Sequence, residues 1–256
     1  MKPTRPIELI PFRDFPIVRQ SDNIAKQITD TLDRDELRLI DGDILVIAQK
    51  VVSKAEGRFV NLADVRPSEQ ALTLARGCLK DPRLVETVLN ESTQVLRCMP
   101  NLLVVVHRLG FVIANAGVDA SNVTDSSEEL VLLLPENPDQ SAADIRGEIH
   151  RLCGVAPGVI INDSFGRAWR QGTIGTAIGA AGVPSFEDLR GHPDLFGRTL
   201  IATEVATADQ IASAASLLQG QADEGIPVVL VRGFQSRSPH NSAATLVRPP
   251  DRDAFR

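Results

Sequence analysis

The sequence predicts an α/β protein built around a mixed β-sheet. Three short apolar runs, rich in β-branched residues, are typical of strands buried on both faces: Ile44–Ala48, Val159–Ile161 and Pro227–Val231. In segments between them, apolar residues recur every three or four positions, which predicts amphipathic helices. In the middle of the chain, Leu102–His107 and Phe111–Ala114 flank a turn at Gly110 and predict an antiparallel hairpin. These paired β runs do not suit a simple doubly wound sheet.

The N-terminal half alternates strand and helix signals. A short strand, Ile7–Ile10, comes first, and a helix is predicted over Val18–Leu32 with Ser21 or Asp22 as its cap. The turn Asp41–Asp43 then leads into the strand Ile44–Ala48. Two further helices are expected before the hairpin, Pro67–Cys78 and Asp81–Leu89, and no element is assigned to Glu91–Arg97.

The C-terminal half continues the alternation. Its predicted elements are, in chain order, the apolar run Leu130–Leu134, the helix Ser141–Cys153, the strand Val159–Ile161, the strand Leu200–Val205, the helix Ala208–Gln219 and the strand Pro227–Val231. We expect residues 1–235 to form one domain. Residues 236–256 form a polar, proline-containing tail, with Leu246 and Val247 as the residues through which part of it becomes ordered.

Composition narrows the function classes. The 256 residues carry a net charge of −6 and the isoelectric point is about 5.3, which argues against a general nucleic-acid binder. No apolar run approaches the ~18 residues of a membrane span. The three cysteines, Cys78, Cys98 and Cys153, are odd in number and follow no metal-binding spacing. We therefore expect reduced thiols and a cytoplasmic protein without membrane or nucleic-acid partners.

Asn162-Asp163-Ser164 follows the run Val159–Ile161, and Arg167, Arg170 and a glycine-rich stretch come next. A carboxylate after a buried strand can hold a hard cation, which in turn faces phosphate oxygens. Arginines bind the same oxygens through their planar guanidinium groups. Arg167 and Arg170 are therefore candidate catalytic contacts. The alternative is a strand, a turn and a helix of small residues, with a solvated aspartate at the cap.

A second polar constellation, NAGVDASNV, spans residues 115–123 and contains Asp119 and Asn122. Asp119 and Asp163 could share one divalent ion, because a cation relieves the repulsion between neighbouring carboxylates. Two independent turns with Asx hydrogen bonds are the alternative. Lys50 and Lys54 follow the strand Ile44–Ala48, where α/β proteins commonly bind ligands, although solvated lysines would give the same pattern. The glycines of a Walker A loop are missing here.

Four ordered motifs carry a family resemblance: VVSKAEGR, NAGVDASN, VIINDSFGRAWRQGTIGTAIGAAGV and QGQADEGIPVVLVRG. Together they resemble the coenzyme F420-0:γ-glutamyl ligases over roughly residues 7–234. The resemblance implies an intertwined homodimer. It also implies a reaction in which GTP and Mg²⁺ or Mn²⁺, often with K⁺, join L-glutamate to F420-0 through an acyl phosphate. Later glutamates are joined through γ-carboxylates.

The resemblance also implies roles for individual residues. Asp119 and Asp163 would bind one divalent ion, and Ser164 and Gln221 would help to hold a second. The implied nucleotide contacts are Leu9, Ile10, Pro11, Phe12, Gln49, Lys50, Lys54, Asn122, Gln219, Gly220, Gln221, Ala222, Asp223, Glu224, Gly225 and Ile226. Gln49-Lys50 departs from the Ser-Thr of archaeal members. That change leaves open a same-family ligase for another acid, and a non-catalytic GTP- or F420-binding protein is the alternative of a different class.

Overall fold

The computed structural model describes residues 6–123, 129–236 and 238–253. Its strands are β1 (Glu8–Pro11), β2 (Ile44–Ala48), β3 (Phe59–Asn61), β4 (Ser92–Met99), β5 (Leu102–His107), β6 (Val112–Ala114), β7 (Leu130–Leu132), β8 (Gly158–Arg167), β9 (Arg170–Ala181), β10 (Glu187–Asp188), β11 (Glu204–Val205) and β12 (Val228–Arg232). Its α-helices are α1 (Ile24–Arg34), α2 (Gln49–Ala55), α3 (Glu69–Cys78), α4 (Pro82–Asn90), α5 (Pro138–Cys153) and α6 (Thr207–Gln219).

A five-stranded mixed sheet, in the order β1-β12-β2-β8-β9, forms the centre of the fold. Only the β2–β8 pair is parallel, with Val46 opposite Ile160, and the other three pairs are antiparallel. The mixed α/β class predicted from the sequence is therefore confirmed.

Helices cover both faces of this sheet, which explains why its central strands are apolar throughout. Leu45 and Ile47 of β2 pack on one face with residues of α1 and α5. Their neighbours Ile44 and Val46 point to the opposite face and pack against α6. A separate core joins α3 and α4 to the three-stranded sheet β4-β5-β6, which contains the predicted hairpin.

Helix starts differ from the predicted ones because other side chains cap them. Helix α1 begins at Ile24 rather than Val18, and Asn23 accepts the N–H of Lys26. Helix α5 begins at Pro138 rather than Ser141, and Asn137 accepts the N–H of Gln140. No helix among the described residues is long and apolar enough to span a bilayer.

The glycine-rich stretch is a strand, so the alternative that made it a helix of small residues is wrong. Strand β8 continues past Asp163 to Arg167, turns at Trp169 with a φ of 64°, and pairs with β9. A Cβ atom at Gly175 would overlap the carbonyl oxygen of Ala212 in α6. The glycines therefore let a helix approach the strand closely.

One further prediction needs correction, and one element was missed. The strand expected over Leu200–Val205 is only Glu204–Val205, which pairs with Glu187–Asp188 at the base of a hairpin formed by residues 187–205. Helix α2, directly after β2, was not predicted. Part of the C-terminal tail packs on the domain, since Ala243 is buried and Asp139 accepts its N–H at 2.8 Å.

Candidate active site

A cavity of about 950 Å³ lies at the edge of the central sheet where β2 ends. Its volume is at the upper end of the range for small-molecule sites, roughly 300–1,000 Å³. Thirteen of the predicted site residues line it: Gln49, Lys50, Lys54, Asn122, Asp163, Ser164, Gln219, Gly220, Gln221, Ala222, Glu224, Gly225 and Ile226. These thirteen residues come from four separate parts of the chain.

The parallel pairing of β2 and β8 explains why these residues meet. Ala48, the last residue of β2, lies opposite Asn162 of β8. The chain after Ala48 turns into α2, and the chain after Asn162 continues as Asp163 and Ser164. The first turn of α2 and the polar part of β8 therefore line the same cavity, at the edge where α/β sheets commonly bind ligands.

Asp119 lies beside this cavity and is held by Lys50. The Nζ of Lys50 is 2.7 Å from Oδ2 of Asp119, and Oδ1 of Asp119 accepts the N–H and the hydroxyl of Ser121, both at 2.8 Å. Burial raises the pKa of Asp119, but Lys50 and Ser121 outweigh it, so the pKa lies below its usual range. Asp119 is thus an ionised carboxylate with donors on both oxygens.

The pKa of Asp163 is shifted in the opposite direction to that of Asp119. Burial raises its pKa to about 6, and the charge of Asp119 adds to that shift, whereas the N–H of Ser164, Lys50 and Gln49 lower it incompletely. The two carboxylates therefore interact, and Lys50 supplies only one positive charge for the two of them. That deficit fits a bound divalent cation.

The donors that could hold such an ion are all oxygens. Asp163, Ser164 and Gln221 line the cavity, with Asp119 next to it. Carboxylate, hydroxyl and amide oxygens suit Mg²⁺ or Mn²⁺ rather than zinc. Among the described residues, no three His, Cys, Asp or Glu side chains gather into a cluster, so neutral oxygens or a ligand would have to complete the coordination.

The loop that joins α6 to β12 forms another wall of the cavity. Glu224 accepts the N–H of Ala222 at 2.8 Å, and backbone N–H groups of this loop lower the pKa of Glu224. Asn122 donates its side-chain amide to the carbonyl of Ala222 at 2.9 Å, and Lys54 donates to the carbonyl of Asn122 at 2.7 Å. Lys54 and Asn122 thus link α2 to this loop.

Several predicted site residues do not line the cavity: Leu9, Ile10, Pro11, Phe12, Asp119, Asp223, Arg167 and Arg170. Leu9–Pro11 pair with β12, and Phe12 is buried in the core. Arg167 and Arg170 are paired at the outer end of the β8–β9 hairpin, where Arg167 contacts the carbonyl of Gly172 at 3.4 Å.

Sequence reasoning missed one wall of the cavity, residues 15–20. Phe15 and Val18 are buried and anchor this segment, whereas Ile17 is exposed. The segment was assigned partly to a helix, so it was not considered as a binding loop. The signal available was Pro16, because a proline restricts the residue before it, here Phe15, to extended conformations.

Comparison with known proteins shows which family this chain belongs to. The family model described as F420-0:γ-glutamyl ligase matches residues 14–233, which include every residue that lines the cavity. The chain belongs to the F420-0:γ-glutamyl ligase family. It is therefore a ligase, and the cavity is the candidate active site of this family member.

Three archaeal relatives support the assignment over nearly their whole length. The chain is 44% identical to the coenzyme F420:L-glutamate ligase of Methanothermobacter thermautotrophicus over 253 residues, 98% of this chain and 99% of the relative. It is 44% identical over 258 residues to the ligase of that name from Methanopyrus kandleri, covering 99% and 98%. The Archaeoglobus fulgidus ligase is 40% identical over 250 residues, covering 98% and 96%.

Proposed function

We propose that this protein is a GTP-dependent ligase that adds L-glutamate to coenzyme F420-0 and then adds further glutamates in γ-linkage. The observation that supports this most directly is the cavity itself, which is lined by Lys50, Lys54, Asp163 and a backbone loop, with Asp119 beside it, within the matched family region. Such a set offers positive charge for phosphates and oxygen donors for a divalent ion.

Amide-bond formation requires activation, because a carboxylate is a poor electrophile. In the proposed reaction, a carboxylate oxygen of F420-0 attacks the γ-phosphorus of GTP, and GDP leaves with the electrons of the broken P–O bond. The product is an acyl phosphate. The amine of glutamate then attacks the acyl carbon, phosphate leaves, and the amine loses a proton. The protein has to position the two substrates and stabilise the charge on the transferred group.

The residues of this chain take the following roles in the proposal. Lys54 and the loop after α6 contact the nucleotide, with Asn122 holding that loop in place. Asp119, Asp163, Ser164 and Gln221 hold Mg²⁺ or Mn²⁺, which neutralises charge on the phosphates when bound. K⁺ is a further candidate ion. Arg167 and Arg170 stay candidate contacts for anionic groups of F420-0, and Leu9–Phe12 stay candidate nucleotide contacts.

We also propose a homodimer. The 187–205 hairpin contains no buried residue and exposes Leu195 at 92%, together with Phe196 and Ile201. Trp169, at the tip of the β8–β9 hairpin, is 88% exposed. Large apolar side chains concentrated on two projecting hairpins are typical of an interface. A second copy of the chain is the partner that would bury them in an intertwined assembly.

A product assay tests the reaction. Purified protein is incubated with F420-0, L-glutamate, Mn²⁺ and either GTP or ATP, and the products are analysed by mass spectrometry. We expect glutamyl mass increments and GDP with GTP, and far less product with ATP. With F420-0 labelled by ¹⁸O in its carboxylate, one labelled oxygen should appear in the released phosphate. Product without label transfer would contradict the acyl phosphate, and GTP binding without product would indicate another acid substrate or a binding protein.

A further inference from the structure

The ammonium group of Lys50 lies against Asp119, which is one of the proposed metal ligands. Lys50 lies in the first turn of α2, and its Nζ is 2.7 Å from Oδ2 of Asp119. The same nitrogen lies 3.0 Å from the hydroxyl and 3.2 Å from the carbonyl oxygen of Ser121. An ammonium has three N–H donors, so these three acceptors satisfy it completely.

Both oxygens of Asp119 are consequently engaged. Ser121 donates two hydrogen bonds to Oδ1, and Lys50 binds Oδ2. A divalent ion that approached Oδ2 would meet a positive charge within a few ångströms. Two cations at such distances repel each other. The ion and the ammonium therefore compete for the same oxygen.

This inference rests on the metal site of the proposed function. We propose that Lys50 is a tethered cation that neutralises Asp119 in the metal-free protein, and that a divalent ion binds Asp119 by displacing it. Lys50 thereby sets the metal affinity of the site. The displaced ammonium stays in the cavity, since Lys50 lines it, and can bind the phosphates of the nucleotide. Metal and nucleotide binding are then coupled through this side chain.

Metal binding can be measured directly, without an assay of catalytic activity. Metal-free full-length protein is titrated with Mn²⁺ alone, and free Mn²⁺ is followed by electron paramagnetic resonance. Lys50→Met keeps the length of the side chain and removes the charge. We expect it to bind Mn²⁺ about tenfold more tightly than the wild type. Lys26→Met removes one charge from an exposed pair with Asp30 and should leave the affinity unchanged.

Two further variants connect the effect to Asp119 and to charge. In the double variant Lys50→Met/Asp119→Asn, the gain in Mn²⁺ affinity that Lys50→Met produces should be lost. The side chain at position 119, for which the ammonium and the ion compete, is then no longer charged. Lys50→Arg retains the cation and should bind Mn²⁺ closer to the wild-type affinity than to that of Lys50→Met. Thermal unfolding of each variant checks that the fold is intact. A non-hydrolysable GTP analogue should raise the Mn²⁺ affinity of the wild type more than that of Lys50→Met.

The outcomes distinguish this inference from the proposed function. Equal or weaker Mn²⁺ binding by correctly folded Lys50→Met, with clear binding by the wild type, would overturn the competition and leave the metal site in place. Absence of Mn²⁺ binding in both proteins would overturn the metal site, and the inference with it. Tighter binding by Lys50→Met that persists after Asp119→Asn would also contradict the inference, because the gain would not depend on Asp119.

Discussion

The side-chain amides of Asn162 and Gln219 hydrogen-bond to each other in both directions. Asn162 donates to Oε1 of Gln219 at 2.8 Å, and Gln219 donates to Oδ1 of Asn162 at 3.1 Å. Asn162 precedes Asp163 in β8, and Gln219 ends α6. This pair therefore fixes the start of the loop between α6 and β12 relative to the strand that carries Asp163 and Ser164.

The pair predicts a stability effect at Gln219. In Gln219→Ala the amide of Asn162, which is only 4% exposed, loses its partner. We expect a loss of about 1–3 kcal/mol in the free energy of unfolding, measured by urea denaturation, because an unpaired buried amide keeps its full desolvation cost. Nucleotide affinity should fall as well, since the loop loses its anchor.

A double-mutant cycle provides the control. Asn162→Leu combined with Gln219→Leu removes both amides and should destabilise the protein less than the sum of the single changes. Strictly additive losses would show that the two side chains do not interact in solution.

Gly175 is expected to tolerate no side chain, because a Cβ atom there would overlap Ala212 of α6. Gly175→Ala should lower the midpoint of thermal unfolding, with a loss of roughly 1–3 kcal/mol typical of overpacking. Gly166→Ala is the matched control, because Gly166 lies in the same hairpin and its added Cβ would meet no atom within 4 Å. Equal melting temperatures for the two variants would contradict the close approach of α6 to β9.

Glu91 should make stability depend on pH. Burial raises its pKa, but His107, Arg108 and Arg58 outweigh this and bring it down from 4.5 to about 2. A lowered pKa in the folded state adds stability above pH 4.5, and that stability is lost as the pH falls towards 2. Glu91→Gln should therefore be less stable than the wild type at pH 7, by on the order of 2–3 kcal/mol, and the difference should shrink below pH 4.5.

The control for this effect is Glu136→Gln. Glu136 also pairs with Arg58, at 2.8 Å, but its side chain is 68% exposed. Screening by water should limit its contribution to about 1 kcal/mol or less. Urea denaturation of both variants between pH 7 and pH 3 makes the comparison. A pH-independent difference between the wild type and Glu91→Gln would rule out the ionised cluster as the cause.

The proposed homodimer depends on exposed apolar residues. Phe196→Ser and Ile201→Ser, made together in the 187–205 hairpin, should shift the mass in solution towards the monomer, measured by light scattering coupled to size exclusion. Leu217→Ser is the control, because Leu217 is similarly exposed but lies on helix α6. A monomeric wild type, or a dimer that survives the double substitution unchanged, would contradict the interface.

Most elements could be predicted because their patterns are local. The apolar strands, the amphipathic helices and the β5–β6 hairpin each depend on residues close in sequence. The glycine-rich stretch was harder, since Gly175 is in a strand for a non-local reason: helix α6 packs against it. The helix starts were harder to predict, because each depends on a single capping residue, such as Asn23 or Asn137. The sequence offers several suitable polar residues near each of these starts.

For the cavity, motif resemblance predicted thirteen of the 26 lining residues, but their contacts came only from the structure. The ion pair between Lys50 and Asp119 joins residues 69 positions apart, and no local pattern encodes it. The wall formed by residues 15–20 was missed, because its role follows from where the folded chain places it beside α2.

The most direct test of the central claim compares three proteins in the F420-0 ligation assay with GTP and Mn²⁺. Asp163→Asn removes the negative charge of one proposed metal ligand, and Asp209→Asn makes the same change at a half-buried carboxylate outside the cavity. We expect glutamylated F420 and GDP from the wild type and Asp209→Asn, and none from correctly folded Asp163→Asn. Full activity of Asp163→Asn, or none in the wild type, would contradict the account.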